Sequence, residues 1–314
     1  YHYDSTYIQK HIDSVMKLKL VNTDAIKAAK FKIVVDAVNS TGGMAVPALL
    51  ENLGVSCVPL YCEPNGHFPH NPEPLAEHLT EISKLVVESN ADCGIVVDPD
   101  VDRLALVNED GTMFGEEYTL VACADYILSK ETGNTVSNLS SSRALREVTH
   151  KHGGQYFSSA VGEVNVVNQM KECKAIIGGE GNGGIIFPDS HYGRDSIVGI
   201  ALFLSLLAEK KMKCSELRAS YPSFFMSKNK IQLTVLSAIS GNYIQPIGIL
   251  ALIIPIYLFS DDVKSLSLLG GILWSLTRTL TPLNLIIQCI NVCNSQIGAF
   301  KSLYFARNNF EDYK

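Results

Sequence analysis

Cysteine pairs are missing. None of the eight cysteines forms a CxxC pair, and the nearest neighbours in sequence are Cys57 with Cys62 and Cys289 with Cys293. This excludes a zinc-ribbon or thioredoxin-like centre; scattered thiols with no secretory signal ahead of them predict reduced cysteines in a cytoplasmic protein. Basic excess is missing too. Lys and Arg number 26 against 32 Asp and Glu, a net charge of −6, which argues against a nucleic-acid binder. Charge of either sign is absent from Thr234 to Ser260 and from Thr279 to Phe300, so a boundary is expected near residue 233, after "SKNKIQL". The first residue is Tyr, which reads as a fragment or a processed product. Against these absences stands a hydrophobic fraction of 46% in 314 residues, enough for a sizeable core and about two domains.

Up to that boundary the pattern is regular. "STYIQKHIDSVMKL" has helical apolar spacing at Ile8, Ile12, Val15 and Met16. "FKIVVDAVNSTGG" reads as a strand entering a loop, "MAVPALLENLG" as a helix ended by Gly54, and "VSCVPLY" as a strand. A proline-rich loop, "CEPNGHFPHNPEP", precedes an amphipathic helix over "LAEHLTEISKLVVESN" and a strand over "ADCGIVVDPD". "LALVNEDGTMF" reads as a hairpin turning at Glu109, Asp110 and Gly111. The order then begins again: helix from Glu116, strand "NTVSNL", helix "SSSRALREVTHKHGG" with serines as cap candidates, strand "QYFSSAV", helix "GEVNVVNQMKE", strand-turn-strand "CKAIIGGEGNGGIIFPD", and the long apolar helix "SIVGIALFLSLLAEKK". The expected fold class is α/β. Two successive α/β units, 1–115 and 116–233, carry mixed, mainly parallel sheets, and an apolar tail covers 234–314. The repeated order predicts an internal repeat.

Two stretches carry chemistry. "DPDVDR" places Asp98, Asp100 and Asp102 directly after an apolar strand. Like charges this close repel unless a cation neutralises them. In extended chain, alternate residues face one side, so the three could converge on one ion at the carboxyl edge of a sheet. An oxygen-only set favours Mg²⁺ or Ca²⁺ over zinc. The competing reading is a solvated acidic turn. An EF-hand is excluded, because its sixth position would be Arg103 instead of Gly and the flanks read as strands. A cation at Arg103 fits a ligand more negative than one metal can neutralise, such as a phosphate; the plainer alternative is pairing with its neighbouring aspartates.

"GGEGNGG" matches G-x-G-x-x-G through Gly179, Gly181 and Gly184. A dinucleotide site would need a helix to open there, and "IIFPD" reads as a strand. The alternatives are a plain hairpin turn or a turn presenting Glu180 and Asn182, a carboxylate and an amide suited to vicinal sugar hydroxyls.

"DPDVDR" followed some eighty residues later by "GEGNGG", with "DAVNSTGG", "SSSRAL", "VGEVNVV" and "HYGRDSIVGIALFL", resembles the α-D-phosphohexomutases, the family of phosphoglucomutase, phosphomannomutase and phosphoglucosamine mutase. The resemblance covers about 1–233. It implies that Asp98, Asp100 and Asp102 bind Mg²⁺ as the family's DGDxDR loop does, with Pro99 where that loop usually has Gly. It places Arg103 near the reactive phosphate and makes Glu180 and Asn182 the contacts to sugar hydroxyls. The implied reaction is phosphoryl transfer between the 1- and 6-positions of a hexose phosphate, through a hexose bisphosphate and an enzyme phosphoserine. The family's T-[AG]-S-H-N-P serine stretch and R-x-S-[GN]-T-E-P phosphate loop are not found in this sequence, and Ser40 and Ser140 to Ser142 have the wrong neighbours. The resemblance is therefore to the two middle domains of four. The expectation is a phosphohexomutase fragment inactive alone. The alternative is a non-catalytic module that binds sugar phosphate or metal. The tail has two readings, a membrane association through "YIQPIGILALIIPIYLF" or "TPLNLIIQCINVCNSQIGAF", or a segment of non-native origin such as a fusion or frame change.

Overall fold

A computed structural model describes residues 6–224. Its strands are short, and they sort their side chains to two faces. The first half opens with α1 (Tyr7–Met16) and α2 (Thr23–Ala29). It continues through β1 (Lys32–Asp36), α3 (Gly42–Asn52), β2 (Ser56–Leu60), α4 (Thr80–Glu88), β3 (Cys93–Val97) and β4 (Leu104–Asn108). On one face of this sheet Ile33, Val35, Ile95, Val97, Leu104 and Leu106 join the main core; on the other Val34, Val96, Ala105 and Val107 pack with Ile82 and Val86 of α4. Covering both faces is what a parallel sheet with crossover helices requires.

The second half repeats the plan: α5 (Glu116–Lys130), β5 (Asn134–Asn138), α6 (Ala144–Lys151), β6 (Tyr156–Ser159), α7 (Glu163–Cys173), β7 (Ala175–Gly179) and β8 (Ile185–Ile186). Strand order is β2-β1-β3-β4 in one sheet and β6-β5-β7-β8 in the other. In each, the first three strands are parallel and the fourth is antiparallel to its neighbour. The expected α/β class and the internal repeat are both present. α8 (Ser196–Lys210) and α9 (Cys214–Ala219) follow. α8 is buried from Ser196 to Ala208, as its apolar circumference demands, and it packs against α5, α2 and α1. The two halves thus belong to one compact unit.

Two local expectations change, and one element is unforeseen. β4 pairs along its whole length with β3, from Cys93↔Asn108 to Val97↔Leu104, so the aspartate loop is itself a hairpin connection; the turn at Glu109 to Gly111 returns only as the bridge Val107↔Met113. The helix expected over 75–90 is a 3-10 turn, Ala76–His78, and then α4. α2, seven residues with Asn22 Oδ1 accepting the Ala25 N–H, is too short to show a period in sequence. The apolar tail and its candidate membrane spans lie outside the described residues; among those described, no helix is long and apolar enough to cross a membrane.

Candidate functional site

β3 carries Asp98 to the carboxyl edge of its sheet, and the chain then turns. The Val101 N–H donates to the Asp98 carbonyl at 3.1 Å, and Val101 adopts φ 61°. The expected extended geometry is therefore wrong, yet the three carboxylates still converge. One oxygen from each of Asp98, Asp100 and Asp102 lies within 4.8 Å of the others. The turn achieves this because buried Asp98 folds its side chain back: Oδ1 accepts the N–H groups of Asp102 at 3.0 Å and Arg103 at 3.1 Å. Thr41 Oγ1 donates to the Pro99 carbonyl at 2.9 Å and pins the loop from outside.

The donor set fits a hard divalent cation. All three groups are carboxylates, and Asp102 Oδ1 is buried without accepting a hydrogen bond. Burial first, and then the charge of Asp98, push the Asp102 carboxyl up to about 7, against the opposing charge of Arg194. Burial and the neighbouring like charge thus favour the neutral form of Asp102, and a cation bound beside it would favour the charged one. Arg103 supplies part of one: its Nε lies 3.4 Å from Asp98 Oδ2 and 3.8 Å from Asp102 Oδ1, while Nη1 donates to Glu73 Oε1 at 3.1 Å. In this structure Arg103 thus pairs with its neighbouring aspartates. With Asn71, Pro72 and Glu73 it also borders a cleft of about 300 Å³ that opens on Asp98 and Asp100.

The second hairpin, β7 to β8, carries the glycine-rich turn at the equivalent place. Asn182 is half-buried, and its Oδ1 accepts the Gly184 N–H at 3.3 Å. Glu180 differs from the expectation of a presented carboxylate. It is buried, with Oε1 accepting from Asn138 Nδ2 at 2.7 Å and the Gly162 N–H at 3.3 Å, and Oε2 from Arg194 Nη1 at 3.0 Å.

The two hairpins touch. The Leu104 N–H donates to the Gly183 carbonyl at 3.1 Å, and Arg103 and Gly184 form an antiparallel bridge. Gly183 holds φ +89°, and a Cβ there would strike the Leu104 carbonyl. The glycines therefore serve the approach of one loop to the other. Arg194, which sequence reading passed over, ties the loops through side chains. Its Nη2 contacts Asp102 Oδ2, Nη1 reaches Glu180 and Nε lies 3.4 Å from Glu163 Oε2. The signal was its place in "HYGRDS", directly before the cap of the apolar helix. That cap is Asp195, whose Oδ1 accepts the Ile197 and Val198 N–H groups, while Oδ2 meets His11 Nε2 at 2.8 Å and His191 Nε2 at 2.9 Å. Burial would raise the Asp195 pKa, but the histidine hydrogen bonds outweigh it and hold the carboxyl far below its usual range. The Gly193 N–H donates to His191 Nδ1, so His191 carries its proton on Nε2.

Comparison with known proteins follows the same division. A family profile described as "Phosphoglucomutase/phosphomannomutase, alpha/beta/alpha domain II" matches residues 9–111, and the corresponding "domain III" profile matches residues 115–224. The chain belongs to the phosphoglucomutase/phosphomannomutase family. A phosphoglucomutase/phosphomannomutase of Thermococcus kodakarensis is 34% identical over 212 residues, 67% of this chain and 46% of that protein. A probable phosphoglucosamine mutase of Methanopyrus kandleri is 32% identical over 231 residues, 73% of this chain and 50% of that one. The crystal structure of a family protein from Burkholderia thailandensis superposes with a TM-score of 0.64 at 25% identity, over 75% of this chain and 51% of its own. The chain spans about half the length of the curated relatives it matches.

Proposed function

We propose that this chain supplies the cation- and sugar-binding part of a phosphohexomutase that interconverts hexose 1- and 6-phosphates through a hexose bisphosphate and an enzyme phosphoserine. The metal-loop domain is residues 1–115 and the sugar-loop domain residues 116–233. The observation that carries this is the contact between the two hairpins: an acidic loop with an orphaned carboxylate oxygen lies against a turn bearing Glu180 and Asn182. Asp98, Asp100 and Asp102 would hold Mg²⁺, which would neutralise charge on a phosphoryl group in transfer. A fold neighbour, the N-acetylphosphoglucosamine mutase of Aspergillus fumigatus, was solved with GlcNAc-6P and magnesium, at 15% identity and a TM-score of 0.50.

The chain's own residues orient and restrain. Asp98 fixes the loop through its two backbone contacts, so the ligand oxygens are set before an ion arrives. Arg103 places a guanidinium at the mouth of the cleft, where its Glu73 contact is exposed and readily exchanged for a phosphate. Asn182 offers an amide, and Glu180 a carboxylate that must trade one of its internal contacts to accept a sugar hydroxyl. The serine donor motif is not found in this sequence, so the 314-residue polypeptide by itself should bind without turning over. Calorimetric titration with Mg²⁺ and glucose 6-phosphate, beside a turnover assay with glucose 1-phosphate and a bisphosphate primer, tests this. Binding without conversion is expected. Absence of Mg²⁺ binding, or substantial conversion, contradicts it.

A further inference from the structure

Arg194 pairs with a carboxylate of each hairpin loop: Asp102 on one side and Glu180, 3.0 Å from Nη1, on the other. Its side chain is only 15% exposed, and Glu163 closes the third edge of the guanidinium. From this arrangement we propose that Arg194 couples divalent-cation binding at the aspartate loop to sugar-phosphate binding at the glycine-rich turn. The inference rests on the proposed function and adds a linkage between its two halves.

The physical argument is competition for Asp102. Without a divalent ion the guanidinium is the counter-charge of Asp102, through a charge-assisted hydrogen bond on Oδ2. A cation that takes Asp102 as ligand repels the guanidinium and withdraws electron density from the oxygen it holds. The Nη2 bond to Oδ2 is thereby weakened in a largely buried place, where a poorly paired donor is costly. An incoming phosphate restores an anionic partner, and Arg geometry matches it. Conversely, a phosphate that draws Nη2 away from Asp102 leaves that carboxylate's full negative charge to the cation. Linkage makes the two effects equal in size.

The backbone of Arg194 is anchored independently of this exchange. Its N–H donates to Glu163 Oε1 at 3.0 Å, it bridges Ile186, and the next residue caps α8. Side-chain replacement should therefore leave the chain path intact. Arg194 is a positioning residue in this account.

The test is calorimetry on the full chain with Mg²⁺ and with glucose 6-phosphate, each alone and in the presence of the other. Wild type, Arg194→Met and Arg194→Lys are compared, with thermal melting as the check on folding. In wild type each ligand should tighten the other by the same factor, about 5- to 50-fold. Arg194→Met should bind Mg²⁺ alone at least about threefold tighter, because the competitor for Asp102 is gone, and the coupling factor should fall to about one. Arg194→Lys keeps the charge and loses the fork, so Mg²⁺ affinity should stay within about twofold of wild type while coupling weakens. A residue that merely braced the loops would give the opposite sign, with weaker Mg²⁺ binding in Arg194→Met, and that result overturns the proposal. So does wild-type binding of both ligands without coupling, or of Mg²⁺ alone. If Arg194→Met does not fold, the lysine variant decides by the same coupling factor. Failure of wild type to bind Mg²⁺ at all would instead remove the proposed function beneath it.

Discussion

In the first half of the molecule the connection between the third and fourth strands is residues 98–103, a turn held by its own side chains. In the second half the topologically equivalent connection is residues 180–184, a turn held by its backbone and closed on the first. Asp98 organises the acidic loop by accepting two N–H groups from it. Gly183 organises the other by letting a carbonyl reach the Leu104 N–H. One fold therefore delivers two hairpins to one place. The first concentrates charge and the second removes bulk so that the charge can be approached.

Substitutions can break this comparison, and the largest effect should come from the residue that does two jobs. Asp98→Ala deletes a ligand and leaves two half-buried loop N–H groups without acceptors, at about 1 kcal/mol for each hydrogen bond lost. Chemical denaturation should show that loss of stability, and titration should show loss of Mg²⁺ binding. Asp100→Ala, at the exposed corner of the same trio, should weaken Mg²⁺ binding while leaving stability within about 0.5 kcal/mol. Equal stability losses in the two variants would refute the distinction between a loop-holding and a ligand-only aspartate.

Next is the backbone side of the comparison. Gly183→Ala forces a side chain into positive φ and against the Leu104 carbonyl, and should cost about 1–3 kcal/mol. Gly153→Ala is the control: it also sits at positive φ, with open space around it, and should cost less. Denaturation midpoints of the pair separate strain from contact.

Acidity distinguishes the halves more gently. Asp102 has its folded pKa raised to about 7 from an ordinary carboxylate value. Its contribution to Mg²⁺-free stability is thus full at low pH and is lost as pH rises through about 7. Mg²⁺ affinity should rise over the same interval, with protons released on binding. Asp195 is depressed, so its contribution is present above about pH 4 and is lost as pH falls through its folded value. His11 is raised, chiefly by its hydrogen bond to Asp195 and against burial, so its share is present below about pH 6.5 and fades as pH climbs through its folded value. Melting temperatures against pH, with and without Mg²⁺, should therefore diverge above pH 6 and converge below pH 5; parallel curves would contradict the assignment to Asp102.

Much of this arrangement is legible in the sequence because it is local. Short apolar runs mark β1, β3 and β4, and "DPDVDR" and "GEGNGG" mark the two hairpin loops within six residues each. Even so, the convergence of the aspartates comes from a turn, where the spacing pointed to a pleat. What sequence periodicity could not show is what closes over distance. Arg194 lies 92 residues from Asp102, and Glu73 lies 30 from Arg103. No short window contains either pair. Glu180 reads as an exposed turn carboxylate until Asn138, Gly162 and Arg194 are brought around it from three other segments.

The claim on which the rest depends is that the two hairpins make one site. Phosphorus resonance spectroscopy of glucose 6-phosphate with the full chain, titrated with paramagnetic Mn²⁺, measures that directly. The account predicts strong broadening of the phosphate signal by Mn²⁺ on the protein, lost in Asp98→Ala. A phosphate signal unaffected by bound Mn²⁺, with both ligands shown to be held, would put cation and sugar phosphate at separate places and contradict it.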